Sequence, residues 1–384
     1  MERFIDKFIE HYGFEPTAAA IAPGRLEILG NHTDYNQGET LSCAVGRATR
    51  FALRPNGGVL CRLKDFRSGD EMQFDLSKPG DPPDRNGSRY VKGVAVELMK
   101  LGAELGGFDA AIESTVPLSA GMSSSAALEI SAALAIGAAF QIEMAPAEWA
   151  RLGQLVENDY LGLHTGLLDQ FSSIFGQENS MILSDFRTNS VVRTAALPPG
   201  YSIVVVNSMK KHNLITSDYN SRRRDCERAV AALAKIFDNV KALRDVTYDE
   251  LSAARSRLSW KEYRRAMHVV GECTRVETGV RLLDEGDILG FGRLWFDSHE
   301  SSRLNFENST PELDYLVELA KSIPGCLGAR LSGGGFGGIT VHLVETAGAE
   351  EYAERVAAAY RKHTGIDPER LICSIGKGAE AFVL

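Results

Sequence analysis

From Ser123 to about Phe140 the chain is rich in Ala, Leu and Ile, with Glu129 its one charged residue. A helix of that composition has no polar face to offer water, so it must be buried, with layers of structure packed around it. The residues before it constrain the chain as much. Pro117-Leu118-Ser119-Ala120-Gly121-Met122-Ser123-Ser124-Ser125 sets small side chains at the helix start, where the backbone can approach a ligand closely. There the first N–H groups and the helix dipole favour an anion. Ser119, Ala120, Gly121, Met122, Ser123, Ser124 and Ser125 are therefore expected to cradle a polyphosphate, with the serine hydroxyls as further donors and one of them as an oxygen ligand for Mg²⁺. A serine N-cap on a buried helix explains the same residues without a ligand. The G-x-x-x-x-G-K-[ST] loop and the H-R-D and D-F-G elements are missing, which excludes the two commonest phosphoryl-transfer architectures.

A net charge of −9 argues against a nucleic-acid or acidic-membrane surface. It also requires any nucleotide site to gather positive charge or backbone N–H groups locally. The six cysteines are scattered, with no C-x-x-C pair, as in a protein of reduced thiols kept in a cytosol. The opening MERFIDKFIEHYG is an amphipathic helix without the basic and apolar regions of a signal peptide, and no apolar run reaches the roughly 18 residues of a membrane span. The expectation is a cytoplasmic, monomeric enzyme acting on small molecules.

At 384 residues the chain exceeds one ordinary core, so two domains are expected, residues 1–190 and 191–384, divided near the Pro198-Pro199-Gly200 turn. Short β-rich runs punctuated by Gly, Asn and Pro fill 17–63. Helices are expected near 88–105, from Pro146 to about Tyr160, from Gly166 to Ile174, and at 217–238, 260–285, 311–322 and 349–363. Strands are expected at FDAAIESTVP, twice within 180–207 and in the last residues. Hairpins mixed with helices point to an α+β fold rather than a doubly wound parallel sheet. Gly333-Gly334-Gly335-Phe336-Gly337-Gly338 contains G-x-G-x-x-G, but a strand-like run from Ile339 follows where a dinucleotide fold needs a helix. These glycines suit a tight backbone approach instead.

Taken together the segments resemble the galactokinases. Ala22-Pro23-Gly24-Arg25, then Gly30-Asn31-His32-Thr33-Asp34-Tyr35-Asn36 and Gly38, are similar to the galactokinase signature. The serine loop resembles the second motif of the wider GHMP kinases, and Ser332 to Gly338 their third. Tyr90-Val91-Lys92-Gly93, Gly166-Leu167-Leu168-Asp169-Gln170-Phe171, Ser217 to Arg223 and Pro311-Glu312-Leu313-Asp314 follow in family order. The resemblance implies an α+β, two-domain GHMP kinase fold, with a ribosomal-S5-like N-terminal domain and a ferredoxin-like C-terminal domain around one active site. It also implies transfer of phosphate from ATP, with Mg²⁺, to the anomeric hydroxyl of a sugar, D-galactose by default.

The same resemblance implies residue roles. Asp169 matches the catalytic aspartate, and a carboxylate in reach can take the anomeric proton. Arg25 matches an arginine beside the transferring phosphoryl group. Glu157, twelve residues before Asp169, and Ser125 match the Mg²⁺ ligands. Asn31, His32, Thr33, Asp34, Gly166 and Tyr219 fall on substrate-binding positions. Read alone, each has a plain structural role: a core histidine, a turn aspartate, a half-buried tyrosine, a solvated glutamate.

Where galactokinases read Asn-Leu-Ile-Gly-Glu-His, this chain has Glu27-Ile28-Leu29-Gly30-Asn31-His32, so Glu and Asn are exchanged. The family glutamate contacts the sugar near its 6-hydroxyl. A neutral Asn31 opens the alternative of a C6-modified sugar such as galacturonate, whereas Glu27 turned into the pocket would keep galactose. Another GHMP acceptor and a non-catalytic sensor of sugar and ATP are the remaining readings.

Overall fold

The chain is described by a computed structural model covering residues 1–81, 86–117, 121–210 and 215–384. Its twelve described strands are β1 (Ala18–Leu29), β2 (Glu39–Pro55), β3 (Leu60–Asp65), β4 (Glu71–Asp75), β5 (Phe108–Ser114), β6 (Ser180–Asp185), β7 (Ser190–Ala196), β8 (Tyr201–Asn207), β9 (Cys326–Ser332), β10 (Ile339–Glu345), β11 (Glu369–Cys373) and β12 (Glu380–Val383). β1 is buried at every residue but Ile21, which needs cover on both faces as well as a partner on each edge. β12 and β2 supply the edges. The larger sheet runs β12-β1-β2-β5-β3-β4, with β6 paired to β2 and β7 to β6. Only the β3–β5 pair is parallel. The smaller sheet runs β11-β8-β10-β9, antiparallel throughout. The larger sheet thus draws β7 and β12 from beyond residue 190, and the β-like chain end divides between the two sheets.

The apolar helix Ser124–Phe140 packs on β1, β2 and β12, and Ala126, Ile130, Ala133 and Ile136 are fully buried there. One hydrophobic core joins the two sheets: Leu26 and Leu41 of the first belong to the same buried cluster as Val205 and Ile339 of the second, together with Phe291 and Trp295. Burying each large side chain there contributes roughly 1.5–3 kcal/mol. This shared core holds β1 against the β9–β10 turn, where the cleft lies.

The helices at Trp260–Glu285 and Pro311–Ser322 fall on the expected residues. Others differ. The helix expected to run from Pro146 to Tyr160 is regular only to Leu155. It then widens by one turn over Val156–Tyr160, where Leu161 N–H bonds back five residues to Val156 at 2.9 Å. The helix expected from Gly166 starts at Leu168. Among the described residues the strands β4 and β7 and the helices Tyr248–Ala253 and Ile288–Ser301 were not foreseen. All six cysteines are free, and no described helix is long and apolar enough to cross a membrane.

Candidate active site

Two irregularities aim the site. β1 shifts register between Pro23 and Arg25, and again between Glu27 and Leu29. Bulges of this kind re-aim side chains, and here they flank Arg25 and Glu27, both directed into a cavity of about 240 Å³. That volume lies below the roughly 300–1,000 Å³ of drug-sized pockets and suits a small polar molecule. The wide turn at Val156–Tyr160 is the second irregularity, and it delivers Glu157 to the same cavity.

At the centre, Arg25 is 4% exposed and holds Asp169. Nε and Nη2 approach Asp169 Oδ1 at 2.9 and 2.7 Å, while Nη1 donates to the Gly121 carbonyl at 2.5 Å. Ser123 Oγ donates to Asp169 Oδ2 at 2.5 Å. One guanidinium therefore ties the carboxylate to the loop leading into the apolar helix. Ser123 caps that helix in the left-handed region (φ 54°), which turns its hydroxyl toward Asp169 instead of the helix N–H groups.

Ser125 Oγ donates to Glu157 Oε1 at 3.2 Å, and Thr165 Oγ1 donates to Oε2 at 2.5 Å. Burial, followed by the nearby Asp169, pushes the Glu157 carboxyl above its ordinary range; the bonds from Thr165, Gln170 and Ser125 pull the other way. Among the described residues no three His, Cys, Asp or Glu side chains converge as a metal cage. A cation at Ser125 and Glu157 would need oxygens from its ligand.

On the opposite wall, Asp34 sits so close to Gly166 that a Cβ there would lie 1.6 Å from Asp34 Oδ2. Only glycine fits, and Leu168 N–H donates to the same oxygen at 3.3 Å. Burial raises Asp34, its bonds from the Tyr35 and Leu168 amides lower it, and Asp169 raises it further. His32 stacks on Phe306 at 4.2 Å and tilts against Tyr219 at 5.2 Å. Its Nδ1 meets the Tyr35 hydroxyl at 2.9 Å, and Nε2 lies 3.3 Å from the Gly334 carbonyl. Burial and then His268 hold His32 well below its usual value, so it is neutral. Burial likewise keeps the Tyr219 hydroxyl protonated, with Asp34 and Asp169 adding to it.

Arg25, Asn31, His32, Asp34, Ser125, Glu157, Gly166, Asp169 and Tyr219 all line this one cavity. Others expected at the site stand elsewhere. Thr33 is fully buried, its hydroxyl bonded to the Gly30 and Glu39 carbonyls at 2.8 and 2.7 Å. Met122 lies in the core joining the sheets. Gly121, Ser123 and Ser124 form the described part of the loop, and Ser119 and Ala120 lie outside the described residues. Thr165, Leu168, Gly333 and Gly334 line the cavity without having been singled out as its ligands, and Glu27 lines it as the alternative reading of the exchange at positions 27 and 31 required. The glycines had a signal: Gly335 packs where a Cβ would fall 2.2 Å from the Asn308 carbonyl, the close approach their spacing suggested. Behind the site, Glu272 accepts the Gly30 and Asn31 amides at 2.9 and 2.8 Å. Nothing in the charged helix that carries it marks Glu272 as buried.

Residues 6–55 match the galactokinase galactose-binding signature, 89–177 the GHMP kinases N terminal domain and 280–362 the GHMP kinases C terminal region. Galactokinase of Roseiflexus sp. is 38% identical over 97% of this chain and 95% of that protein. Human galactokinase is also 38% identical, over 92% and 90%. The crystal structure of Lactococcus lactis galactokinase complexed with galactose superposes with a TM-score of 0.93 at 29% identity, covering 99% of both chains. Mevalonate kinase, at 17% identity and a TM-score of 0.59, shares the fold. A shared core, a cleft in the same motifs and identity along nearly the whole length have one reading: the chain belongs to the galactokinase family of GHMP kinases.

Proposed function

We propose that this chain transfers the γ-phosphoryl group of ATP to the anomeric hydroxyl of D-galactose. The observation that carries the proposal is Asp169, fixed by Arg25 and Ser123 in the cavity that Asp34, His32 and Tyr219 also line. Asp169 Oδ2 already accepts one bond from Ser123 and has capacity for a second. It is the group in reach to take the proton of a sugar hydroxyl as phosphorus–oxygen bonding develops. Arg25 keeps that carboxylate oriented and offers permanent positive charge to phosphoryl oxygens. Asp34 and the Tyr219 hydroxyl supply an acceptor and a donor for the sugar ring, and neutral His32, its ring nitrogens engaged by Tyr35 and Gly334, lines the wall beside them. The start of the apolar helix offers its N–H groups to the polyphosphate.

Ser125 and Glu157 would hold Mg²⁺, a hard cation suited to one carboxylate, one hydroxyl and phosphate oxygens. The raised Glu157 carboxyl supports this, because an added positive charge offsets both its burial and its repulsion from Asp169. When bound, the ion would neutralise phosphate charge.

The test is ADP release with ATP, Mg²⁺ and a panel of hexoses, hexosamines and hexuronic acids, with the phosphorylated position read by ³¹P NMR. Galactose 1-phosphate is the expected product. Galactose binding without ADP release from any sugar would refute turnover and favour a sensor.

A further inference from the structure

The exchange of Glu and Asn between positions 27 and 31 has a structural outcome that follows from counting hydrogen bonds. Asn31 is completely buried. Its Nδ2 donates to Glu27 Oε1 and to the Gly333 carbonyl, both at 2.9 Å. Its Oδ1 accepts from Asn308 Nδ2 at 3.1 Å and from Ser302 Oγ at 3.4 Å. An amide has two donors and two acceptor sites, so Asn31 is saturated by the protein. Glu27 is not. Its Oε1 takes Asn31 and Arg330 Nη2, the latter at 2.7 Å, while Oε2 takes no hydrogen bond among the described residues. Nor is Oε2 among the unpaired side-chain atoms sealed from solvent, and the solvent it meets is the cavity that Glu27 lines. Arg330 is fully buried and pinned by its bond to the Ile28 carbonyl at 2.8 Å, so the carboxylate is held before any ligand arrives.

We propose that Glu27, and not Asn31, is the specificity-determining residue of this pocket, presenting its free oxygen to a hydroxyl of the sugar. The proposal rests on the sugar-kinase reading above. The exchange then moves the carboxylate by four residues without removing it, and the pocket stays hostile to a second carboxylate. A neutral hexose donates a hydroxyl to Oε2, whereas a hexuronate brings like charge to it. Asn31 becomes a positioning residue for Glu27.

The experiment measures kcat and KM for galactose, each monodeoxygalactose and galacturonate in the native enzyme and in Glu27→Gln. Losing one charge-assisted hydrogen bond should raise the galactose KM about tenfold with little change in kcat. The preference for galactose over galacturonate should narrow by about tenfold or more. For one deoxy sugar, native and variant should share the same KM, which identifies the hydroxyl bound. Glu27→Asp keeps charge beside Arg330 while withdrawing the oxygen, and it carries the same expectation for KM if the Gln variant does not fold. An unchanged galactose KM and unchanged selectivity in the folded variant overturn the assignment. Failure of the native protein to turn over galactose overturns the function reading instead, so the two are separable.

Discussion

Replacing Asp169 by Asn separates proton acceptance from the architecture around it. Arg25 Nε and Nη2 both address Oδ1, at 2.9 and 2.7 Å, and an amide oxygen in that place still accepts them. Ser123 Oγ now donates to Oδ2 at 2.5 Å; after the substitution an Asn Nδ2 would donate to Ser123 instead. The hydrogen bonds persist, and the negative charge is what disappears. Breaking a buried ion pair costs about 3–5 kcal/mol, but the Asp169 side chain is 30% exposed, so screening reduces the loss to roughly 1–3 kcal/mol. Removing a general base should lower kcat at least about a hundredfold, about 2.7 kcal/mol of barrier. The two losses are similar in size and need separate readouts. Turnover at saturating ATP and galactose should fall by that factor, the KM for ATP should stay within about threefold, and the melting temperature should drop by a few degrees. Near-native kcat in the folded variant would refute Asp169 as the base, whatever happens to stability.

Glu157→Gln should raise the Mg²⁺ concentration for half-maximal activity at least about fivefold, since a hard cation loses an anionic ligand; an unchanged titration refutes a metal role. Gly166→Ala sets a Cβ 1.6 Å from Asp34 Oδ2, so Asp34 must move. The sugar KM should rise about tenfold or more while the KM for ATP holds, and a native sugar KM would show that Asp34 does not bind the sugar. Burial, with His299 nearby, depresses His342 to about 3, so the unfolded chain binds that proton first once pH falls below about 6.5. His342 therefore withdraws stability from the native protein as pH falls from about 6.5 toward 3, and His342→Gln escapes this. In urea unfolding the stability gap between the two should narrow by about 2 kcal/mol from pH 7 to pH 5, and a constant gap refutes a neutral buried imidazole.

The apolar helix and the glycine turn were legible because composition alone dictates them: a helix rich in Ala, Leu and Ile with a single charged residue must be buried, and a glycine run before a strand implies close approach. The sugar signature was legible as a motif, but which of its residues face the cavity was not. Thr33 lies between two cavity residues and turns inward, because the tight turn after β1 spends its hydroxyl on backbone carbonyls. Glu157 sits on a helix that reads as regular, and one widened turn brings it inside. The helix Ile288–Ser301 was missed because Gly290 and Gly292 weaken its pattern. Gly292 is required by packing, as a Cβ there would lie 2.5 Å from the Leu327 carbonyl. β7 was missed for the opposite reason: it pairs on one side only and leaves Val192 and Arg193 outside, so it has little pattern to show.

The charge of the cleft bears on how an anion enters a protein of net charge −9. Among the described residues lining the cavity, Arg25 is the only Lys or Arg, against the carboxylates of Glu27, Asp34, Glu157 and Asp169. Arg25 is already committed to Asp169, and the buried Arg330 behind it to Glu27. Arg330 is therefore no counter-ion for a triphosphate, and Arg25 offers phosphoryl oxygens only the charge that Asp169 leaves uncompensated. Acidic groups that suit a neutral polyol, by accepting its hydroxyls, thus also raise the cost of admitting a polyphosphate beside them. That cost falls where Ser125 and Glu157 meet at the start of the apolar helix, and backbone N–H groups offset only part of it. The arrangement therefore favours a nucleotide that arrives with its own divalent cation over the bare anion. On this argument the exchange at positions 27 and 31 is constrained from both ends of the cleft. Glu27 must be clamped by Arg330 to stay ionised beside the sugar, and it must lie on β1, where Asn31 and Arg330 take up one of its oxygens.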